Sequence, residues 1–332
     1  MTIKDLARET GYSVGTISRV LNHHPNVSEK TRQEVLAAIE RFGFERNENA
    51  KNLKQRRRDG ILVLVKGRRN ELFARIIEQL QQVFANSRFA LVTEYFNETE
   101  NEVHHAVRLC GEKKPEGILF LGGNRVNFEA EFGNIHVPSV LLTDDASGLP
   151  FANLSSVCTD DRAAARCAVR HLISKGHRRI AVIGGDPTIS DTSRMRLEGC
   201  VDALEESRIP GPVGVEQGLY SYEDGYSGTK RIVQSGLEFT AIFAMSDVQA
   251  IGSMRALKEA GLRVPEDVSV CGFDGLEISK YILPQLTTVS QSAELLAQRS
   301  AQLLLQQIDR KSAGRHEIVP FRLLEGESVA AI

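Results

Sequence analysis

Two kinds of hydrophobic spacing divide this chain. Over residues 2–45 apolar side chains recur at three- and four-residue steps in short bursts, each closed by a polar or glycine stop. Ile3, Leu6 and Ala7 give the first burst an apolar face, with Thr2 at its cap and Asp5 three residues on. Gly11 stops it, because glycine enters the left-handed conformation without steric cost. Ser13 caps a second short helix with Ile17, Val20 and Leu21 inward and Thr16, Ser18 and Arg19 outward. Pro25 and Asn26 form a turn, Ser28 caps a third helix, and Gly43 ends it. Val35, Leu36 and Ile39 of that helix are expected to close a three-helix core with Leu6, Ile17 and Val20.

From Gly60 the pattern changes. Continuous apolar runs such as ILVLV (61–65), GILFL (117–121), RIAVI (179–183) and AIFA (241–244) alternate with stretches of helical periodicity. A strand covered on both faces reads as such a run, so the expectation is an α/β architecture of parallel, doubly wound sheets. Nine or so strands over about 270 residues exceed one comfortable core, and two sheets are expected. Between these regions, residues 46–58 (RNENAKNLKQRRR) hold one sizeable apolar side chain, Leu53. By composition they read as a solvated linker.

Charge reinforces the division. Residues 1–58 hold twelve Lys/Arg against seven Asp/Glu, and the remainder 29 against 36, although the whole chain is only −2. A basic head on an acidic body suits a head that meets a polyanion. The five cysteines are scattered, with no CxxC or Cys/His cluster, and read as free buried thiols in a reducing compartment. No apolar run is long enough to span a bilayer and no signal-peptide core is present, so a cytoplasmic location is expected. No P-loop, GxSxG, HExxH or paired-carboxylate signature appears. His171 and His177 (HLISKGH) fall at a helix end without a nucleophile beside them. No enzyme activity, metal or cofactor is therefore expected.

The two opening helices have the plan of a helix-turn-helix, whose second helix enters the DNA major groove. TIKDLARETGYSVGTISRVLN (2–22), VSEKTRQEVLAAIERFGF (27–44) and AKNLK (50–54), followed by HLISKGHRRIAVIGG (171–185), SRMRLEGCVDAL (193–204), MSDVQAIGSMRALKEAGLRVPEDVSVCGFD (245–274) and PQLTTV (284–289), resemble the lactose/galactose repressor family of bacterial transcription regulators. The resemblance implies a headpiece over residues 1–45, a hinge over 46–58, and a periplasmic-binding-protein-like core over 59–332. That core would have two subdomains, about 60–156 with 286–316 and about 157–284 with 317–332. Three crossovers near 157, 285 and 318 would join them.

By the same resemblance Val14, Gly15 and Arg19 face base edges, Arg19 suiting a bidentate contact with guanine. Gly15 stands where many relatives carry a readout side chain. Lys4, Ser13, Thr16, Ser18 and Asn22 are expected phosphate anchors. Tyr12 is expected to pack its ring in the core with its hydroxyl toward a phosphate. Leu53 matches a hinge leucine wedged between base pairs, with Lys51 beside it, so the hinge is expected to become helical on DNA. Arg56, Arg57 and Arg58 add phosphate contacts and a steep salt dependence.

Effector contacts fall on Phe73, Arg196, Tyr220, Asp247 and Asp274. These types suit a polyol: an aromatic face for a ring and charged forks for hydroxyls. Ordinary structure uses them as well, with Phe73 as core, Arg196 in an ion pair and Asp247 as a helix cap. The loop from Lys66 to Phe73 clusters Lys66, Arg68 and Arg69 at a cleft edge. Such a cluster favours an anionic effector such as a sugar phosphate, or serves as a solvated loop. The expected protein is a DNA-binding repressor of a carbohydrate-use operon, released by a sugar-type effector. Its partners would be a palindromic duplex operator and a second copy of itself, with no membrane. No C-terminal heptad tail is visible, so a homodimer is expected. A ligand-activated co-repressor mode, and a small-molecule-binding protein without DNA, are the alternatives.

Overall fold

The computed structural model describes residues 3–21, 27–42, 60–68 and 70–332. The chain divides into two compact units, Met1–Arg56 and Arg57–Ile332.

In the small unit three helices form: α1 (Ile3–Thr10), α2 (Val14–Leu21) and α3 (Glu29–Arg41). Gly11, at φ +73°, turns the chain out of α1 while its N–H bonds back to the Ala7 carbonyl. Ser13 and Ser28 cap α2 and α3, their hydroxyls accepting from Thr16 N and Thr31 N at 3.1 and 3.2 Å. A serine cap satisfies a helix N–H that has no partner within the helix. Leu6, Ile17, Val20 and Val35 are fully buried at the centre. Leu36 does not join them and lies 45% exposed. Adjacent helix residues point about 100° apart, so with Val35 inward the next inward positions are Ala38, Ile39 and Phe42. Thr2, the Pro25–Asn26 turn, the Gly43 stop and the hinge over 46–58 lie outside the described residues.

The large unit contains two six-stranded sheets. The first has the order β11-β5-β4-β3-β1-β2, with β1 at Gly60–Lys66, β2 at Ala90–Phe96, β3 at Gly117–Leu121, β4 at Ser139–Leu142, β5 at Leu154–Thr159 and β11 at His316–Val319. The second has the order β12-β10-β9-β8-β6-β7, with β6 at Ile180–Gly185, β7 at Gly214–Gly218, β8 at Ala241–Ala244, β9 at Ser269–Asp274, β10 at Thr287–Gln291 and β12 at Phe321–Leu324. Side chains alternate across each sheet, which explains the continuous apolar runs. Ile61, Val63 and Val65 of β1 belong to one core, with α4 (Glu71–Phe84) and α11 (Ala293–Arg310). Leu62 and Leu64 belong to the opposite core, with α5 (Glu102–Lys113) and α6 (Arg125–Glu131). The second sheet is covered in the same way. One face carries α7 (Asp161–Ser174) and α8 (Asp191–Glu206), the other α9 (Tyr222–Gln234) and α10 (Asp247–Glu259).

The described residues form twelve strands, more than the apolar runs indicate. Two of the additional ones, β5 and β10, are rich in hydroxyls. β5 (LSSVCT) is buried along its whole length. Ser155 donates to Gln307 Oε1 at 3.1 Å, and Ser156 pairs with His316 Nδ1 at 2.9 Å. Partnered hydroxyls can be buried at little cost, so such a strand lacks an apolar signature.

The chain passes between sheets after Thr159, Gln291 and Val319, later than the expected crossovers near 157, 285 and 318. The displaced segment is β10. It lies within the stretch assigned to the first subdomain, yet pairs in parallel with β9 in the second sheet. Its TTVSQ sequence has no continuous apolar run to mark where it belongs. The third crossover is nearly direct, since only Pro320 separates β11 from β12. A strand that leaves one sheet at its C-terminal edge and enters the facing sheet without a helix must run against it, and β12 is antiparallel to β10. The five cysteines are unpaired, with Cys158, Cys200 and Cys271 buried and Cys110 and Cys167 partly so. No helix among the described residues is long and apolar enough to cross a membrane.

Candidate functional site

The outer face of α2 is set by the burial of Ile17 and Val20. That register leaves Ser13, Val14, Gly15 and Arg19 exposed, with Thr16 and Ser18 partly so. The hydroxyls of Ser13 and Thr16 lie 2.9 Å apart at the start of the helix. A Cβ built at Gly15 meets only Ser13 Oγ, at 3.7 Å, so the site is open. Tyr12 packs its ring against the small core as expected, but its hydroxyl donates to Glu34 Oε2 on α3. The phenol thus braces the turn between α1 and α2 against α3. Asn22, Lys51 and Leu53, and the side chain of Lys4, lie outside the described residues.

In the large unit a cavity of about 110 Å³ lies between the two sheets. Its walls come from strand ends and the turns after them: Lys66, Gly122–Gly123, Thr143–Asp144, Gly185–Asp186, Gly218–Tyr220 and Asp274. All are C-terminal ends of parallel strands, the edge where open α/β sheets place ligands. Thr143 and Asp274 adopt φ of +73° and +111°, conformations that non-glycine residues seldom hold. Such strain persists where surrounding structure imposes it, and both residues face the cavity.

Four of the five expected effector residues line this cavity: Phe73, Arg196, Tyr220 and Asp274. Arg196 is buried on α8. Its Nε donates to Asp161 Oδ1 at 2.7 Å and its Nη1 to the Met245 carbonyl at 2.5 Å. Asp274 Oδ1 lies 3.8 Å from Nη1, and the guanidinium carbon sits 3.8 Å over the Phe273 ring. Nη2 makes no hydrogen bond among the described residues. Burial opposes the charge on Arg196, yet the Asp161 carboxylate more than restores it and the guanidinium stays cationic. Asp274 also accepts from Gln291 Nε2 at 2.8 Å. Burial pushes its carboxyl up to about 6, with Arg196 pulling the other way. Tyr220 shares a 2.7 Å hydroxyl contact with Ser193.

Asp247 does not line the cavity. It is fully buried, with Oδ2 accepting from Leu276 N at 2.6 Å and Oδ1 from Thr288 Oγ1 at 2.5 Å. Nor is it the cap of α10, a role taken by Ser246, which accepts from Gln249 N. Asp247 instead ties the turn after Asp274 to β10, and so holds in place the loop that delivers Asp274. His177 is likewise structural, bridging Thr240 Oγ1 and the Ala330 carbonyl at 3.0 and 3.1 Å.

The cation cluster at the cleft edge is not what its sequence suggested. Lys66 Nζ bonds the fully buried Glu102 at 2.8 Å. Glu102 also accepts from Asn124 N and Asn127 Nδ2, at 2.6 and 3.0 Å. The charge of Lys66 is spent inside the first subdomain, and Arg69 lies outside the described residues. The cavity walls carry four carboxylates (Glu98, Asp144, Asp186, Asp274) against two cations, both already paired. Both cations that line the cavity are thus engaged by buried carboxylates, while Arg68 of the same loop is exposed and lines the groove outside it.

Asp144 was not singled out in the sequence. It accepts from Thr192 Oγ1 at 2.7 Å and Gly123 N at 3.1 Å, linking the two halves of the unit. Burial, with Asp161 and Asp191 nearby, raises its carboxyl to about 7 against the pull of the Thr192 hydroxyl. Its signal was present: an aspartate directly after a strand end (LLTD), the logic that favoured Asp274 in GFDG. Among the described residues, no group of three or more His, Cys, Asp or Glu side chains is arranged to hold a metal ion.

Comparison with known proteins accords with this geometry. Residues 2–47 match the bacterial regulatory proteins of the lacI family, and residues 169–329 a periplasmic binding protein-like domain. The chain is 33% identical to the HTH-type transcriptional regulator MalR of Clostridium butyricum, over 99% of both chains. The Lac repressor dimer bound to operator and an anti-inducer superposes with a TM-score of 0.82 at 27% identity, over 100% of this chain and 99% of that one. The transcriptional regulator CelR in complex with cellobiose gives 0.73 at 27% identity, over 99% of each. A helix-turn-helix unit and a two-sheet unit with an interlobe cavity, on a chain that matches such relatives end to end, make this protein a DNA-binding transcription regulator of the LacI family and not an enzyme.

Proposed function

We propose that the protein is a cytoplasmic repressor of carbohydrate-use genes that leaves its operator when a neutral, hydroxyl-rich sugar fills the interlobe cavity. The observation that carries this reading is the pairing of the cavity's two cations. Both cations are neutralised by buried carboxylates, while Asp144 and Asp274 remain as acceptors and Arg196 Nη2 as a donor. Phe73 and Tyr220 add aromatic surface. Acceptors and donors beside rings are what a sugar's hydroxyls and C–H faces require. The cellobiose complex of CelR supports the same class.

On the DNA side, Arg19 reads a guanine, Val14 meets an apolar base edge, and Lys4, Ser13, Thr16, Ser18 and Asn22 serve as phosphate anchors. Lys51 and Leu53 act from the hinge in the minor groove. Two copies on a palindrome supply the contacts that one small headpiece lacks. Sugar binding acts by favouring one arrangement of the two subdomains, which requires a differential affinity for that arrangement.

A mobility-shift titration tests the whole reading. A palindromic probe from upstream of adjacent carbohydrate genes is expected to bind and to be released by a neutral sugar. Release by sugar phosphates alone, or tighter binding with sugar, would refute it.

A further inference from the structure

The inner cavity does not end at its own walls. Asn70, Phe73, Glu98, Leu219 and Tyr220 also line an outer groove of about 920 Å³. The inner volume is below the roughly 300–1,000 Å³ of ordinary ligand sites and suits no more than a single ring, whereas the outer groove falls within that range. A ligand held by Arg196 and Asp274 therefore has a ready path outward.

Glu98 stands at the junction. It follows β2 on the first subdomain, is half-buried, and makes no hydrogen bond or ion pair with any described residue. Lys66 is near enough to favour its charge, but Lys66 Nζ is committed to Glu102. The carboxylate lies over Gly67, where a Cβ would come within 2.9 Å of Oε1 and where the backbone sits at φ +92°. Glycine there is required both by the turn and by the seat it leaves for Glu98. Burial and the nearby Asp224 make the charged form costly, so the carboxylate is held in place without a protein partner. Around it the groove exposes Tyr95 and Tyr222, the latter donating to Glu71 Oε1 across the cleft at 2.5 Å.

We infer that the outer groove is a second sugar subsite, so that the effector is a saccharide of at least two rings, with Glu98 accepting hydroxyls from the second ring. This rests on the sugar reading above and deepens it. The inner ring reports to Arg196, Asp144 and Asp274, and the outer ring to Glu98 and the exposed tyrosines. Glu98, at the junction of the two sites, is a specificity-determining residue for length.

Titration calorimetry on the full chain tests the inference, with glucose and galactose against maltose, cellobiose and lactose. At least one disaccharide is expected to bind tenfold or more tightly than its component monosaccharides. Glu98→Gln is expected to remove most of that gain, bringing the ratio of disaccharide to monosaccharide affinity close to one. Its thermal midpoint should equal or exceed the parent's, because no protein contact is lost. Equal affinity for one ring and two, or a gain that survives Glu98→Gln, overturns the outer subsite and leaves the sugar reading standing. Absence of binding by every member of the panel overturns both.

Discussion

Thr192, on the first turn of α8, donates a 2.7 Å hydrogen bond to Asp144, which follows β4 in the other half of the unit. One short side-chain contact thus reports whether the two subdomains are together, and it ends on a carboxyl poised near neutrality. The sign of its pH dependence follows. The folded-state value is above that of an exposed aspartate, so the folded protein holds the proton while the unfolded chain has lost it. Stability from this group is full below about pH 4 and is lost as pH rises toward 7, with Asp274 contributing the same trend up to about 6. Between pH 6 and 8 the Asp144 share is on the order of 1 kcal/mol. Melting curves of the parent and Asp144→Asn should show the slope above pH 6 flattened in the variant. Thr192→Val, which removes a donor that favours the carboxylate, should move the midpoint to higher pH.

Arg196 cannot be removed quietly. Its loss leaves Asp161 buried without a counter-charge, and breaking a buried pair from one side costs about 3–5 kcal/mol. Arg196→Met should unfold at markedly lower urea concentration than the parent. Arg196→Lys should retain part of the stability and lose sugar binding, since an ammonium does not reproduce the fork to Asp161 and Met245.

On α2 the informative position is Gly15. Nothing but Ser13 Oγ approaches a side chain there, and glycine inside a helix costs about 0.5–1 kcal/mol relative to alanine. Gly15→Ala should therefore stabilise the headpiece by about that amount. Anisotropy with operator DNA then reads the other half of the question: unchanged affinity means open space over the base pair, and a sharp loss means that backbone and DNA meet at Gly15. Arg19→Ala should weaken operator binding by about 1–3 kcal/mol and relax the sequence requirement at one base pair.

Asp247 tests action at one remove. Asp247→Ala leaves the Leu276 N–H and the Thr288 hydroxyl without their buried acceptor, at a cost of about 1–3 kcal/mol. Sugar affinity should fall because Asp274 loses its support, although Asp247 does not line the cavity. DNA affinity without sugar should change little, which a filter or anisotropy titration would show.

The β–α alternation was readable because strands covered on both faces have no polar side to hide. β5 and β10 were not, because their buried hydroxyls find partners far along the chain, Ser155 with Gln307, 152 residues away, and Thr288 with Asp247, 41 away. The cavity was legible where a charged residue closes a strand, as at Asp274, and where helix α8 begins, as at Arg196. It was misread at Lys66, whose neutralising Glu102 lies 36 residues on. Leu36 was misplaced by treating two neighbours as one face. Glu98 carries no local mark, since its importance lies in partners it does not have.

The passages of chain between the sheets have a consequence for how the molecule is made. When synthesis has delivered the chain through Thr159, the first sheet still lacks its edge strand β11 and the helix α11 that covers one of its faces. Both arrive only after the whole of β6 to β10 has emerged. The small unit has its own core and can mature early. The sensing unit completes both halves within the last forty or so residues of the chain, so a prematurely ended product retains the reading helix without the cleft that controls it.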